Sequence, residues 1–141
     1  MTFTMLQPAI VLVLWTLFML VWMVSTRLPA LRKANIKLTQ LVGTTARDAD
    51  KALPARAQWK AHNYNHLLEQ PVLFYAVCLM LHALGGASQV SIVMAWGYVA
   101  LRVAHSLVQA TSNRVGPRFA LFFCSSLLLT GLAVEAAVRA F

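Results

Sequence analysis

Charged side chains are scarce in this chain: 11% of its 141 residues are Asp, Glu, Lys or Arg, and four of these are acidic. Ordinary soluble domains carry roughly 25% charged residues. So few charges cannot cover a globule of this size, and most of its surface must face something other than water. The apolar content of 60% also excludes intrinsic disorder. We therefore expect a single membrane domain, because at about 20 residues per spanning helix the chain can supply four spans and their loops.

Cysteine is also scarce, and the excess of basic residues is unevenly placed. Cys78 and Cys124 both lie inside apolar runs, so we interpret them as apolar packing residues and expect neither a disulfide framework nor a metal site. The net charge of +8 could suggest nucleic-acid binding. However, eight of the twelve basic residues lie between Arg27 and Lys60, and no basic face with aromatic platforms lies outside the apolar runs. The charge therefore indicates membrane topology.

Four apolar runs predict an all-α integral membrane protein, a four-transmembrane-helix bundle. Pro8 opens the first run, and Gly85 to Ser88 form a hairpin signal between the second and third. None of the runs alternates polar with apolar residues as barrel strands do. The predicted spans cover about residues 8–26, 66–84, 90–110 and 117–138, and residues 27–53 form a long basic loop.

The distribution of Lys and Arg predicts the orientation. The first connection carries eight, the second none, and Arg114 and Arg118 flank the third. By the positive-inside rule the first and third loops face the cytoplasm and both termini face the opposite side. A site built from the polar ends of spans two, three and four would then open to the cytoplasm.

The third span carries polar residues on one helical face. Arg102, His105 and Gln109 follow one another at spacings of three and four residues. A charge within the bilayer costs at least about 2.5–3.5 kcal/mol on insertion scales, which makes Arg102 a candidate functional residue. The alternative is that Arg102 and His105 lie near the interface and extend to the lipid headgroups.

A second polar stripe lies where the second span enters the membrane, formed by His62, Asn65, His66 and Glu69. We predict an ion pair between Glu69 and Arg102, because a lone carboxylate there would be costly. The alternative role for this pair is to fix helix register. His62 and His66 could form a metal-ligand pair, but the zinc protease signature is absent. We therefore expect no metal.

A positive pocket is expected at the same end of the bundle. Arg118 follows Pro117 at the start of the fourth helix, where the unpaired backbone N–H groups already favour an anion. Arg56, Lys60 and Arg102 would add to its charge. The alternative for Arg118 is a topology-setting loop residue.

These residues resemble a known family. The stretch from Arg56 to Pro71, followed by Arg102-Val-Ala-His105 and by Arg118, resembles the membrane-associated proteins in eicosanoid and glutathione metabolism, the MAPEG family. That family has an Arg-Ala-His-x-Asn-x-x-Glu-like segment entering helix two and an Arg-x-x-His pair in helix three. A bacterial-type member resembling the microsomal glutathione transferases is the expected subtype.

The resemblance implies a homotrimer that binds glutathione between neighbouring subunits, near the cytoplasmic side. Arg118 takes the position of the arginine that stabilises the glutathione thiolate, and is the expected catalytic residue. The residues expected to bind glutathione are Arg56, Lys60, His62, Asn65, Glu69, Arg102 and His105.

The chain also departs from the family pattern. Lys60 replaces an arginine, either Asn63 or Asn65 aligns with the family asparagine, and Gln109 stands where some members have tyrosine. Phe119 and Phe122 replace the serine and tyrosine of the prostaglandin synthase type, which disfavours prostaglandin isomerisation.

We therefore expect a glutathione-dependent membrane transferase or peroxidase acting on lipophilic electrophiles or lipid hydroperoxides. One alternative is a non-catalytic trimeric protein that binds lipid or an anionic metabolite, with its polar helix ends forming structural ion pairs. Another is a transporter or channel subunit.

Overall fold

A computed structural model describes residues 4–85 and 88–141 of the chain, and within these ranges it contains helices and no strand. The elements are α1 (Leu6–Lys33), a 3₁₀ turn (Leu38–Gln40), α2 (Ala46–Ala52), α3 (Ala55–Leu67), α4 (Gln70–Ala83), α5 (Gln89–Thr111) and α6 (Val115–Ala140). Four segments are long and apolar enough to cross a membrane, with α3 and α4 together forming the second. Their up-and-down order makes a four-span bundle.

The bundle has two ends, which we call the basic end and the turn end. At the basic end α1 and α5 finish and α3 and α6 begin, and the turn end carries the connection between α4 and α5. At the turn end Gly85 has a φ of +96°, and the Ser88 hydroxyl accepts a hydrogen bond from the Ser91 N–H at 3.1 Å, which caps α5. The predicted hairpin also includes Gly86 and Ala87, which lie outside the described residues.

The structure differs from the predicted loop over residues 27–53, because parts of this segment are helical. Helix α1 continues six residues beyond Arg27 to Lys33, and α2 occupies Ala46–Ala52. Leu28 and Leu31 line one wall of a groove of which residues 36–53 form the other wall. The first charged residue after an apolar run, here Arg27, therefore does not mark the end of the helix.

The second predicted span, 66–84, also differs from the structure, because the helical segment begins at Ala55 and breaks before α4. Glu69 has φ −89° and ψ −96°, which is outside the α-helical region. Pro71 explains the break, since it has no N–H to donate to the Leu67 carbonyl and its ring would clash with that group. The polar helix α3 and the apolar helix α4 are therefore two helices and not one continuous helix.

The core lies around α5, which packs against α1, α3 and α6. Phe74 on α4 stacks on Tyr98 at 4.3 Å between ring centroids, and both side chains are fully buried. Helices α5 and α6 approach closely at Gly131, where an added Cβ would collide with the Met94 Cε atom.

The outer surface of the bundle is apolar. Leu14 and Val21 on α1, Val93 on α5 and Leu127 on α6 are more than half exposed. Water-soluble monomers rarely expose continuous apolar surfaces of this extent. Together with the four apolar spans, these faces indicate an integral membrane protein.

Candidate functional site

Helix α5 carries a buried polar stripe toward its basic end. Arg102, His105, Ser106 and Gln109 are all at least 95% buried, and their spacing of three and four residues places them on the inward face of the helix. The predicted common face of Arg102, His105 and Gln109 is therefore confirmed. Because Arg102 is completely buried, it does not extend to lipid headgroups within this bundle.

The guanidinium group of Arg102 is held by neutral partners. Its Nε donates to the Tyr98 hydroxyl at 3.1 Å, its Nη2 donates to the Gln70 side-chain carbonyl, and its Nη1 lies 3.4 Å from Nε2 of His66. The guanidinium carbon also lies 5.5 Å from the centres of the Tyr98 and Phe122 rings. Hydrogen bonds and aromatic faces thus take the place of a counter-ion.

The predicted ion pair between Glu69 and Arg102 is wrong. The Oε2 atom of Glu69 instead lies 2.9 Å from Nδ1 of His66, and the Glu69 side chain is 67% exposed. The helix break before Pro71 accounts for this, because it turns Glu69 outward and brings Gln70 to the inside. His66 therefore stands between the carboxylate and the buried arginine.

A cavity of about 240 Å³ opens beside this network, between the end of α3, the last turns of α5 and the start of α6. The imidazole rings of His66 and His105 form one wall, 5.0 Å apart between centroids. Arg118 also lines the cavity, and the apolar part of the lining consists of Val115, Phe119 and Phe122. The cavity thus combines imidazole, guanidinium and aromatic surfaces.

The turn between α5 and α6 positions Arg118. Asn113 has a φ of +52° and donates its backbone N–H to the Val108 carbonyl at 2.7 Å, a left-handed helix ending that asparagine adopts more readily than most residues. Its side-chain oxygen accepts a hydrogen bond from Nη1 of Arg118 at 2.6 Å. The Nε atom of Arg118 is buried and has no hydrogen-bond partner. Such an unpaired donor is costly unless a ligand accepts from it.

His105 is a second polar group without a partner at the cavity. It is 3% exposed, and the described residues offer it ring contacts with His66 and Phe122 but no hydrogen bond. Buried polar side chains are normally hydrogen-bonded. His105 and Arg118 therefore both present unused hydrogen-bonding capacity next to the cavity.

Arg56 and Lys60 lie elsewhere at the basic end. They line a separate pocket of about 510 Å³ against the end of α1, where Lys33 is the third cation. Lys60 Nζ donates to the Arg56 carbonyl at 2.8 Å and lies 5.8 Å from the centre of the Trp22 ring. The predicted single positive pocket is therefore divided, within one chain, into two sites.

His62 and Asn65 also lie outside the Arg118 cavity. The Nε2 atom of His62 is 2.7 Å from Oδ1 of Asp50, a contact that attaches α2 to α3. Asn65 lines a groove of about 590 Å³ between α1 and residues 36–53. Asn63, the alternative asparagine, is fully buried and donates to the Ser106 hydroxyl at 2.6 Å. Asn63 therefore faces α5, and Asn65 faces away from it.

Two residues next to the cavity are not among the site residues predicted from the sequence: His66, which the sequence predicts only as part of the polar stripe, and Gln70. His66 lies four residues after His62, and Gln70 lies four residues after His66, so their helical spacing was the available signal. Within residues 4–85 and 88–141, no group of three His, Cys, Asp or Glu side chains could hold a metal ion.

The chain is thus a helical membrane protein with four spans and a polar cavity at one end of the bundle. The sequence profile of the MAPEG family matches residues 5–138, so the chain belongs to the MAPEG family. This family includes glutathione transferases, glutathione peroxidases and enzymes of eicosanoid synthesis. The comparison with curated proteins gives no match, and neither does the comparison with solved structures.

Proposed function

We propose that this protein is a glutathione-dependent membrane transferase or peroxidase that acts on lipophilic electrophiles or lipid hydroperoxides. The observation that carries the proposal is the buried, unpaired Nε–H of Arg118 beside an open cavity that this residue lines. MAPEG membership over nearly the whole chain supports glutathione as the ligand that fills this cavity.

Arg118 has the chemistry needed to stabilise a thiolate. The thiolate is the nucleophilic form of glutathione, and a nearby cation lowers the thiol pKa from about 8.5 toward neutrality. A guanidinium group keeps its charge at all relevant pH values and donates several hydrogen bonds. Asn113 holds Nη1 of Arg118 and Nε has no hydrogen-bond partner, so the guanidinium retains donor capacity for the sulfur. The unused hydrogen-bonding capacity of His105 would serve the same ligand.

The aromatic side of the cavity suits a second, lipid-soluble substrate. Phe122 lies on the cavity wall, and Phe119 lines the cavity while remaining 66% exposed on the outer face of α6. A lipophilic electrophile in the bilayer could therefore reach the thiolate along Phe119. In conjugation the thiolate forms a bond to an electrophilic carbon, which releases its leaving group or, in an addition, gains a proton on the neighbouring atom. In hydroperoxide reduction the thiolate attacks the outer oxygen, the O–O bond breaks to release the lipid alcohol, and a second glutathione displaces water from the resulting sulfenic acid to form the disulfide.

The remaining predicted glutathione contacts lie apart from the Arg118 cavity, and this separation favours an assembly of several chains over an isolated chain. Arg56 and Lys60 would hold carboxylates in the pocket against α1, but this pocket and the Arg118 cavity are separate within one chain. The cavity, at about 240 Å³, is also smaller than the roughly 300–1,000 Å³ of most ligand sites. A homotrimer would allow a neighbouring copy to complete the site. We place the basic end in the cytoplasm, with both termini on the opposite side.

Thiolate absorbance in the ultraviolet tests this proposal. Glutathione is added to the detergent-solubilised protein near neutral pH, and the absorbance is compared for the unmodified protein, Arg118→Ala and Arg114→Ala. Arg114 is the matched control, since it is an exposed arginine that immediately precedes α6 and does not line the cavity. We expect a thiolate signal that Arg118→Ala abolishes and Arg114→Ala retains.

Three outcomes decide between an enzyme and a non-catalytic anion-binding protein. No thiolate signal from the folded, unmodified protein would contradict the enzyme. Glutathione binding without thiolate, measured by calorimetry, would favour a non-catalytic anion-binding protein. An undiminished signal in Arg118→Ala would contradict the role of this arginine.

A further inference from the structure

We propose that the groove between α1 and residues 36–53, which we call the α1 groove, binds an anionic phospholipid. The acyl chain of the lipid lies against the apolar lining, and its phosphate binds Arg27. The volume of the groove is about 590 Å³, within the roughly 300–1,000 Å³ of most ligand sites. Among the described residues it shares no lining residue with the Arg118 cavity, so this site goes beyond the proposed function and does not depend on it.

The lining of the α1 groove is mainly apolar and incompletely covered. Leu28 on α1 is 39% exposed, and Leu38 and Leu41 on the opposite wall are 57% and 40% exposed. An acyl chain in the groove would remove this surface from water, and the gain is proportional to the apolar area covered. The groove therefore suits a long hydrocarbon chain better than a compact polar ligand.

The α1 wall of the groove continues into the outer face of the first span. Leu14, Val21 and Leu28 follow one another at intervals of seven residues, so they share one face of the helix. All three side chains are exposed, and the part of this face before Arg27 belongs to the apolar span. A lipid of the surrounding bilayer can therefore enter the groove along this face without passing through water.

Arg27 provides a cation for the phosphate. Its side chain lines the groove and is half-buried, and it forms no ion pair or hydrogen bond with the parts of the chain that the structure describes. Arg27 directly follows the uncharged run of residues 8–26, which places it where the hydrocarbon meets the lipid headgroups. A guanidinium group binds phosphate through two parallel N–H donors. Arg27 is thus suited to the phosphate of a lipid whose acyl chain occupies the groove.

The charge around the groove favours an anionic headgroup. Residues 27–53 carry six Lys or Arg and two Asp, and basic segments at the membrane surface attract anionic lipids. Asp48 also lines the groove, but its carboxylate accepts hydrogen bonds from the Thr45 N–H and hydroxyl. Asp50 contacts Gln58 and His62 instead. Neither aspartate therefore neutralises Arg27.

Native mass spectrometry of the detergent-solubilised protein measures this binding. Dioleoyl phosphatidylglycerol and dioleoyl phosphatidylcholine are titrated separately, because they share their acyl chains and differ in headgroup charge. We expect phosphatidylglycerol to bind about fivefold more tightly or better. Excess inorganic phosphate should displace little of it, since a free anion cannot fill the apolar groove. Complete displacement by phosphate would overturn the lipid and assign Arg27 to a free anion.

Two pairs of matched variants locate the lipid. Arg27→Gln should lower the affinity for phosphatidylglycerol about tenfold, as expected for loss of a hydrogen bond between charged groups. Its control is Arg47→Gln, because Arg47 is an exposed arginine of the same segment that does not line the groove, and its effect should stay below about twofold. Leu38→Ser should weaken both lipids about threefold or more. Val42→Ser should change neither, since Val42 is 91% exposed and does not line the groove.

Circular dichroism and gel filtration in detergent establish that each variant is folded. Equal affinity for the two lipids, or equal losses in Arg27→Gln and Arg47→Gln, would overturn the phosphate contact. Equal losses in Leu38→Ser and Val42→Ser would overturn the groove as the binding site. Absence of bound lipid, with a changed oligomer mass in Leu38→Ser, would overturn the proposal and show that a second copy of the chain covers the groove.

Amide hydrogen exchange of the unmodified protein decides the matter if the variants do not fold. In nanodiscs of phosphatidylglycerol, residues 36–53 should exchange more slowly than in nanodiscs of phosphatidylcholine, because the bound lipid attaches this segment to α1. Equal exchange in the two lipids would overturn the proposal. None of these outcomes affects thiolate formation at Arg118, which tests the proposed function separately.

Discussion

The two ends of the α5 and α6 pair both carry charged side chains, but they use them differently. At the turn end Glu135 accepts a hydrogen bond from Ser91 and forms an ion pair with Arg139 at 2.9 Å. At the basic end the Nε of Arg118 is buried and unpaired, and His105 has no hydrogen bond within the described residues. Polar groups that satisfy one another connect helices, whereas unpaired polar groups beside a cavity indicate a ligand.

The largest expected effect is on turnover, which should depend on the basic end of the bundle and not on the turn end. We expect Arg118→Ala to lower turnover with a generic aromatic electrophile about 10²–10³-fold, the range measured when one donor to a developing anion is removed. Glu135→Gln should change turnover less than about twofold, because its partners tie α5 to α6 away from the cavity. Steady-state kinetics in detergent micelles measure both. Equal losses in the two variants would remove the functional distinction between the ends.

The second effect is on stability, to which the hydrogen bonds of the turn end should contribute. Ser91 is fully buried, and its hydroxyl donates to a carboxylate. We expect Ser91→Ala to lower the free energy of unfolding by about 1.5–3 kcal/mol, the range for loss of a hydrogen bond to a charged group. Denaturant unfolding followed by circular dichroism measures this change. The thiolate signal of the folded variant should be unaffected, and a parallel loss of that signal would show that the turn end also shapes the site.

A double-mutant cycle sharpens the description of the basic end. Arg102 donates to Gln70 and forms no ion pair with Glu69. We therefore expect Arg102→Met and Gln70→Leu to show a coupling energy of about 0.5–3 kcal/mol in unfolding. Arg102→Met and Glu69→Gln share His66 as a neighbour, so their coupling energy should be smaller than that of the first cycle but not zero. A strong coupling in the second cycle and none in the first would restore the ion pair predicted from the sequence.

The smallest effect concerns α2, at the outer margin of the basic end. The Asp48 carboxylate accepts hydrogen bonds from the Thr45 backbone N–H and hydroxyl, both at 2.8 Å, and these bonds hold the pKa of Asp48 below its ordinary value of 3.8. The folded-state pKa is depressed, so this stabilisation is present above pH 3.8 and is lost as the pH falls through the lower folded pKa.

Hydrogen exchange of the α2 amides measures that effect. Protection should decline at acidic pH in the unmodified chain, and Asp48→Asn should remove this dependence. The spans should keep their protection over the same range, since Asp48 lies outside them. A decline of equal size in Asp48→Asn would assign the acid sensitivity to other carboxylates.

Much of the basic end was accessible from residue spacing. Arg102, His105 and Gln109 were placed on one face because helical periodicity depends on the chain alone, and the structure buries that face. Arg118 was singled out because it follows Pro117 at a helix start. The break at Glu69 was harder to predict. Pro71 indicated a disruption, but the direction in which Glu69 and Gln70 point depends on the backbone angles that the packed helices adopt.

The division of the positive residues could not be inferred from spacing either. Arg56 and Lys60 share one face of α3, and which neighbour that face meets depends on the rotation of α3 against α1 and α5. The burial of Ala61 and Leu67 fixes this rotation and turns Arg56 and Lys60 toward the end of α1.

The sequence alone determined that the chain has four apolar helices and that a few polar residues lie on their faces, because transfer to lipid and helical periodicity are local properties. The tertiary structure decided which of these polar residues meet. It paired Glu69 with His66, gave Arg102 neutral partners, and left Arg118 and His105 beside a cavity. Each contact depends on the rotation of a helix about its axis, and that rotation is set by the packing of all the helices together.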